Sequence, residues 1–287
     1  MELAKSGIEH ARKAFRDEYV LDWQIECFSK PTVSLIDGLV MGGGVGISAY
    51  GTHRVAGESY RWAMPETMIG LFPDVGACHL LARMPGSLGV YLGLTGHSLG
   101  RADAYALGLA THCIASSQFD AIAAGLADVW PVDTLLDERH KDPGERELEP
   151  YMEVIENCFC PGSVEEILER LHSVQDKHKE WAEKVVRDLR SRSPISLKIT
   201  LRHILNARAL DLRQTLQMDY RLGVRCLDGR DFYEGARAVL IDKTGDPRWQ
   251  PARIEDVTQA MVDDYFAPLG AGELVLPTRQ EMQEARA

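Results

Sequence analysis

Four glycines within five positions, Gly42, Gly43, Gly44 and Gly46, close a short apolar run, Leu39-Val40-Met41. Glycine reaches positive φ and lets other groups approach the main chain closely. Val45-Gly46-Ile47-Ser48-Ala49-Tyr50 can open a helix directly behind the run. The first N–H groups of such a helix have no partner within it, so the turn suits a phosphate or an oxyanion formed during reaction. Three readings compete. Gly44-Val45-Gly46-Ile47-Ser48-Ala49 fits the dinucleotide pattern G-x-G-x-x-A, with Glu66 about twenty residues on. In that pattern the acid ends a second hydrophobic strand, whereas Glu66 follows Pro65 and precedes a Gly/Pro-rich stretch. The second reading is an oxyanion hole with the Gly43 N–H as donor. The third is a tight turn that packs helix on sheet.

The flanking sequence reads as α/β and then mostly helical. Ile8, Ala11, Phe15, Tyr19 and Trp23 recur at three- and four-residue steps, which predicts an amphipathic helix over roughly the first 25 residues, ending before Pro31. Thr32–Ile36, Thr52–Ala56 and Tyr60–Met64 read as strands, and Asp37-Gly38 as a turn. Residues 76–111 look helical, with breaks at Pro85-Gly86 and Gly96. The charged segment Asp133–Glu149, with Pro143-Gly144, reads as an exposed linker or loop. Beyond it, Ser163 with Glu166 predicts a capping box, the Trp181, Ala182, Val185, Val186 and Leu189 stripe a core-facing helix, and Ser193-Pro194 a helix start. Strands separated by helices suggest a partly parallel sheet, and with few strands ahead of Gly42 that sheet would be thin.

Composition narrows the class. The chain of 287 residues is 45% hydrophobic and 26% charged, enough apolar mass to offset the entropy of ordering. Lys+Arg number 32 against Asp+Glu 43, a formal net charge of -11, which argues against general nucleic-acid binding. No stretch reaches the ~18 apolar residues of a membrane span. Met1–Ala14 has neither a secretory nor a transit pattern, so a cytoplasmic address is the default. Of the six cysteines only Cys158 and Cys160 are close, and C-x-C lacks the spacing of a structural zinc site.

The second informative block is Met64-Pro65-Glu66-Thr67-Met68-Ile69-Gly70-Leu71-Phe72-Pro73-Asp74-Val75-Gly76. On a continuous helix Glu66 and Asp74 would lie ~12 Å apart. Gly70 and Pro73 disfavour a continuous helix, so a bend can bring both acids to one cleft. Carboxyls among apolar neighbours have raised pKa values, which suits proton transfer near neutrality. Against this stands a plainer reading, in which Glu66 caps one helix and Asp74 begins the next.

These blocks, from Lys30-Pro31 to Gly46 and from Met64 to Gly76, together resemble the crotonase superfamily and, within it, the 3-hydroxyisobutyryl-CoA hydrolase family. Leu94-Thr95-Gly96, Gly108–His112, Ser193–Lys198 and Asp231–Ala238 carry the similarity over nearly the whole chain. The resemblance implies a crotonase-like (ClpP/crotonase) α/β fold with a spiral ββα core. It places that core at residues 1–130 and a helical C-terminal region at 131–287. It implies an acyl-CoA thioesterase whose thioester oxygen sits on backbone N–H groups, one of them Gly43. The family's two acidic positions fall on Glu66 and Asp74, and an upstream pocket glutamate on Glu18, which on its own reads as part of a solvated helix face. Glu66 would activate water or attack the acyl carbon, and Asp74 would bind the substrate hydroxyl or share the proton work. No cofactor is implied, coenzyme A being part of the substrate. The implied partner is an acyl-CoA, with no nucleic acid and no membrane, and a homo-oligomer is left open. Family chains carry about a hundred more residues at the front, including early strands and a second oxyanion donor. A fragment, a misjudged start and a naturally shortened, weakly active homologue all fit that difference. If the source is eukaryotic and a front segment is missing, the address becomes the mitochondrial matrix. An enoyl-CoA hydratase or isomerase and a non-catalytic homologue are the alternatives. Hydratases typically carry a second glutamate where Asp74 stands.

Other residues carry weaker readings. His112 reads as a core or turn histidine, and His53, His79 and His97 lack metal-ligand spacing. Arg230 and Arg237 could approach a CoA phosphate but read more simply as a solvated face.

Overall fold

The structure, a computed structural model, describes residues 7–127, 131–160 and 162–284. The front half alternates short strands and helices: α1 (Ile8–Glu26), β1 (Val33–Ile36), β2 (Leu39–Met41), α2 (Gly43–Ala49), β3 (His53–Ala56), β4 (Arg61–Ala63), a 3-10 turn (Glu66–Ile69), α3 (Ala77–Leu81), α4 (Leu88–Thr95), β5 (Leu99–Gly100), α5 (Arg101–Ala106) and β6 (His112–Cys113). Helices α6 (Phe119–Ala127) and α7 (Val132–Asp137) follow, then α8 (Met152–Phe159), α9 (Val164–Ser173), α10 (Lys179–Ser191), α11 (Pro194–Ala207), α12 (Leu212–Asp228), α13 (Asp231–Gly235), α14 (Gln259–Phe266) and α15 (Arg279–Glu284).

In place of the single thin sheet that the sequence suggests, the strands form two three-stranded sheets. One is ordered β1-β3-β6 and is parallel throughout; the other is ordered β2-β4-β5, with β2 and β4 parallel and β4 and β5 antiparallel. The chain steps from one sheet to the other twice in succession, β1 to β2 and β3 to β4, with α2 between the two steps. A winding of this kind lets very short strands share one interior: Val40, Ala56, Trp62, Met64, Leu99 and Cys113 all face the main core.

Helix α1 shows how the spacing becomes packing. Ala11, Phe15, Tyr19 and Trp23, four residues apart, are buried on one side, and that side lies on α12, where Gly223 admits the Phe15 ring. Burying each of these aromatic side chains stabilises by roughly 1.5–3 kcal/mol. Ile8, at the head of the same stripe, is 38% exposed. Ser193 and Ser163 both cap, each accepting an N–H from three residues on, but at Ser163 the return bond from Glu166 that would complete the expected capping box is not made. A full capping box is formed at Asp211 and Gln214. Of the Trp181 stripe, Ala182, Val185, Val186 and Leu189 are buried, while Trp181 itself is half-buried and stacks on Tyr151.

The charged segment 133–149 is mostly exposed and irregular over 138–148, as its composition suggests, but it is not an open linker. It begins in α7, whose Leu135 and Leu136 are buried in a second, smaller core with Val55, Ile114 and Ile122. Its far end is held by Asp103 of α5, only 1% exposed, which accepts the N–H groups of Glu147 (2.9 Å) and Leu148 (3.3 Å). Arg146 lies 3.6 Å from the same carboxylate. Charge-rich composition misleads here because a single buried acceptor satisfies backbone donors that would otherwise seek water. Asp103→Ala is therefore expected to cost about 2–4 kcal/mol by leaving those donors unpaired. Urea unfolding checks it, and the same variant should expose residues 141–147 to protease first.

Candidate active site

The glycine run, the acidic face of α1 and the Glu66–Asp74 segment converge. Gly42 turns at φ +50° and caps α2. Val45 N–H donates to the Gly42 carbonyl at 2.8 Å, so the amides of Gly43 and Gly44 precede the first intrahelical bonds. Against them stand carboxyls. A Cβ added at Gly43 would lie 2.5 Å from Glu18 Oε1, and one at Gly46 would lie 2.6 Å from Asp22 Oδ1. The absence of side chains at these two positions is what lets α1 approach the turn with two acids, Glu18 and Asp22, one helical turn apart. On the other side, a Cβ at Gly42 would lie 3.3 Å from Glu66 Oε1. The glycines thus form a tight turn that packs helix against neighbouring elements and also place amides beside carboxyls.

The segment carrying Glu66 and Asp74 bends as its composition suggests. Glu66 opens the 3-10 turn, Gly70 closes it in the left-handed conformation, and the chain then runs through Pro73 to Asp74. Glu66 and Asp74 are 6% and 5% exposed, and Glu66 senses the charge of Asp74. Asp74 Oδ2 accepts the Tyr19 hydroxyl at 2.8 Å, whereas Glu66 Oε2 is buried without a hydrogen-bond partner. Glu18, read from residues alone as part of a solvated face, is half-buried beside Gly43. The four site residues named from the sequence, Glu18, Gly43, Glu66 and Asp74, therefore meet in one place.

Burial dominates the electrostatics. Desolvation, then the Asp74 charge, pushes the Glu66 carboxyl well above the usual range. Desolvation and then Glu18 push Asp74 up to about 8, against the Tyr19 hydrogen bond, which acts the other way. Glu18 is raised by burial alone. Among the described residues no Lys or Arg pairs with these acids. A site of this kind holds protons near neutrality and can pass them on.

Sequence reasoning missed Asp22. It is fully buried, both of its oxygens lack a hydrogen-bond partner, and desolvation followed by the charges of Glu18, Asp74 and Asp219 raises it to about 9. Its i+4 spacing from Glu18 was the available signal. His112 lies in β6, bonded to Thr111 and Asp137, and His53 is bonded likewise to Thr52 and Asp133. Arg237 pairs with Glu234 and Asp242 at the surface, and Arg230 bonds Gln250.

The dinucleotide reading fails on this geometry. Glu66 starts a 3-10 turn and does not end a strand, as the acid of that pattern must. Residues 1–266 match the family model described as enoyl-CoA hydratase/isomerase, and the chain belongs to that family. Curated relatives include the mitochondrial 3-hydroxyisobutyryl-CoA hydrolase of Xenopus tropicalis, 42% identical over 95% of this chain and 72% of the relative. The human protein of the same name is 41% identical over 91% of this chain and 69% of its own length. Among solved structures, a carnitinyl-CoA dehydratase from Mycobacterium thermoresistibile superposes with a TM-score of 0.87 at 37% identity, covering 96% of this chain and 78% of that one. The crotonase-like fold is thereby established.

Asp22 yields a stability test. A carboxyl whose folded pKa lies above its unfolded value of about 4 contributes fully below that value and loses its contribution as pH rises towards about 9. Asp22→Asn removes this penalty. Relative to wild type, it should gain roughly 2–4 kcal/mol more at pH 8 than at pH 5, read by urea denaturation at the two pH values. Equal effects at both would refute a desolvated acid.

Proposed function

We propose that this chain hydrolyses a short β-hydroxyacyl-CoA thioester, and that its substrate is 3-hydroxyisobutyryl-CoA, releasing 3-hydroxyisobutyrate and CoA in valine breakdown. The observation that carries this reading is the buried Glu66 carboxyl, whose Oε2 has no hydrogen-bond partner and whose Oε1 lies against Gly42, the cap of α2. The names of the 40–43% identical relatives support the substrate.

In this reading the thioester oxygen accepts the Gly43 N–H. Negative charge builds on that oxygen as the acyl carbon is attacked, and an aimed amide is worth ~2.7–4 kcal/mol there. Glu66, once ionised, takes a proton from water while the hydroxide adds to the acyl carbon. As the C–S bond breaks, the same proton passes to the leaving CoA sulfur. Asp74, with Oδ2 held by Tyr19, presents its other oxygen to the substrate hydroxyl, and Glu18 lines the pocket beside Gly43. The reaction needs no cofactor, since CoA arrives as part of the substrate. Hydration of an enoyl-CoA is the second reading, favoured by the solved structures whose titles name a dehydratase and a hydratase. Among the described residues no helix is long and apolar enough to cross a membrane. By analogy with the relatives' names, we place the chain in the mitochondrial matrix if its source is eukaryotic, and in the cytoplasm otherwise.

Release of free thiol from 3-hydroxyisobutyryl-CoA, followed with a thiol reagent, tests the proposal against hydration. Glu66→Gln should lower kcat by about 10²–10⁴-fold, and unchanged hydrolysis would remove Glu66 from the chemistry. The base must be ionised and its pKa is raised, so wild-type turnover should climb with pH through the neutral range rather than level off near pH 5. In a single turnover, oxygen-18 from water should enter the product acid and not the Glu66 side chain; label in the protein would mean direct attack.

A further inference from the structure

Asp74 sits at the start of a turn that the local sequence does not favour. Val75 has φ +49°, a left-handed conformation that a β-branched residue rarely adopts, and Gly76 follows at φ +75°. A side chain at Gly76 would collide with the Tyr50 hydroxyl and with Leu212. Strain of this kind persists only where surrounding structure holds it. Two groups do so from outside the segment. The Tyr50 hydroxyl donates to the Val75 carbonyl at 2.7 Å. The Gly76 N–H donates to Asp219 Oδ2 at 2.6 Å, across 143 positions of sequence.

Asp219 is itself braced. It projects from α12, is fully buried, and has its second oxygen 2.5 Å from Nε2 of His203 on α11, also fully buried. With hydrogen on Nε2 the imidazole donates to Asp219. Its ring stands edge-on to Phe72 at 5.8 Å and to Phe266 at 6.4 Å, while Nδ1 has no hydrogen-bond partner. Burial raises Asp219, but the His203 hydrogen bond and the Gly76 N–H oppose this and favour the anion. Neither residue is needed for the chemistry proposed above.

We propose that Asp219, braced by His203, is a positioning residue for Asp74: it grips the Gly76 amide, fixes the left-handed Val75–Gly76 turn and so aims the Asp74 carboxyl into the site. The role has an electrostatic side. Asp74 is faced by Glu18, Tyr19 and Asp22 from α1, by Glu66 from its own segment, by Cys78 from α3, and by Cys226 and Asp219 from α12. Asp219 is thus one of several negative groups that keep the Asp74 carboxyl protonated to higher pH. The kinetic part of this inference rests on the hydrolase reading.

Two variants of the 287-residue chain separate the mechanical from the electrostatic role. Asp219→Ala removes both the grip and the charge. Amide hydrogen exchange at Gly76 should accelerate in it, and kcat/KM should fall by about tenfold or more, as misplacement of a group that orients the substrate does. Asp219→Asn keeps an acceptor for Gly76 but loses the charge. It should retain Gly76 protection and most of kcat, and the Asp74 carboxyl, followed by carbon-13 NMR, should titrate at lower pH than in wild type. Unchanged Gly76 exchange in Asp219→Ala, or an unmoved Asp74 titration in Asp219→Asn, overturns the proposal. If Asp219→Ala does not fold, Asp219→Leu removes the acceptor at similar volume and is read by the same Gly76 exchange. If wild-type chain releases no thiol, the hydrolase reading falls, while Gly76 exchange still decides the grip.

Discussion

Everything around the site depends on the removal of several carboxyls from water with, among the described residues, no Lys or Arg paired to them. Glu18, Asp22, Glu66, Asp74 and Asp219 lie on three separate stretches of chain and meet where α1, α12 and the segment after β4 pack together. Coulomb repulsion in a low-dielectric setting opposes that arrangement. Burial disfavours the charged form of each, and for Asp22, Glu66 and Asp74 neighbouring charges add to it, which is why every one of these groups shifts upward. The fold tolerates the cost because the same elements bury Phe15, Tyr19, Trp23, Phe72 and Leu216. Stability and proton chemistry are in this sense exchanged at one interface.

The glycine turn and the acids are two halves of one device. An amide that stabilises developing negative charge works best where water is excluded. Excluding water is also what raises the carboxyls. Close approach of α1 to Gly43 and Gly46 achieves both at once, and it requires that neither position carry a side chain. Tyr19 links the halves: it belongs to the buried stripe of α1 and its hydroxyl holds Asp74.

Much of this was legible in the sequence. The periodicity of Ala11, Phe15, Tyr19 and Trp23, the glycine run, and the Gly70 and Pro73 interruptions are local signals, and local physics fixes their outcome. The fold class, and the meeting of Glu18 with Gly43, came from resemblance, since a glutamate on an amphipathic helix carries no mark of what lies opposite. Asp219 and His203 were not legible, because their burial and partners come from elements far apart in sequence, and Asp22 offered only its i+4 spacing from Glu18. The segment 133–149 was only partly legible for a related reason. Its charges are at the surface as composition implies, but Leu135 and Leu136, with the distant acceptor Asp103, tie it down.

The small second core has a consequence of its own. Val55, Ile114, Ile122, Leu135 and Leu136 form a cluster apart from the main interior, roofed by α6 and α7. A satellite cluster of this size can open without melting the rest. Its lid is fastened at the rim by matched imidazole–carboxylate contacts, His53 with Asp133 and His112 with Asp137. Drift in the sequence of that lid would leave the reacting groups undisturbed, since none of them lies in the second cluster.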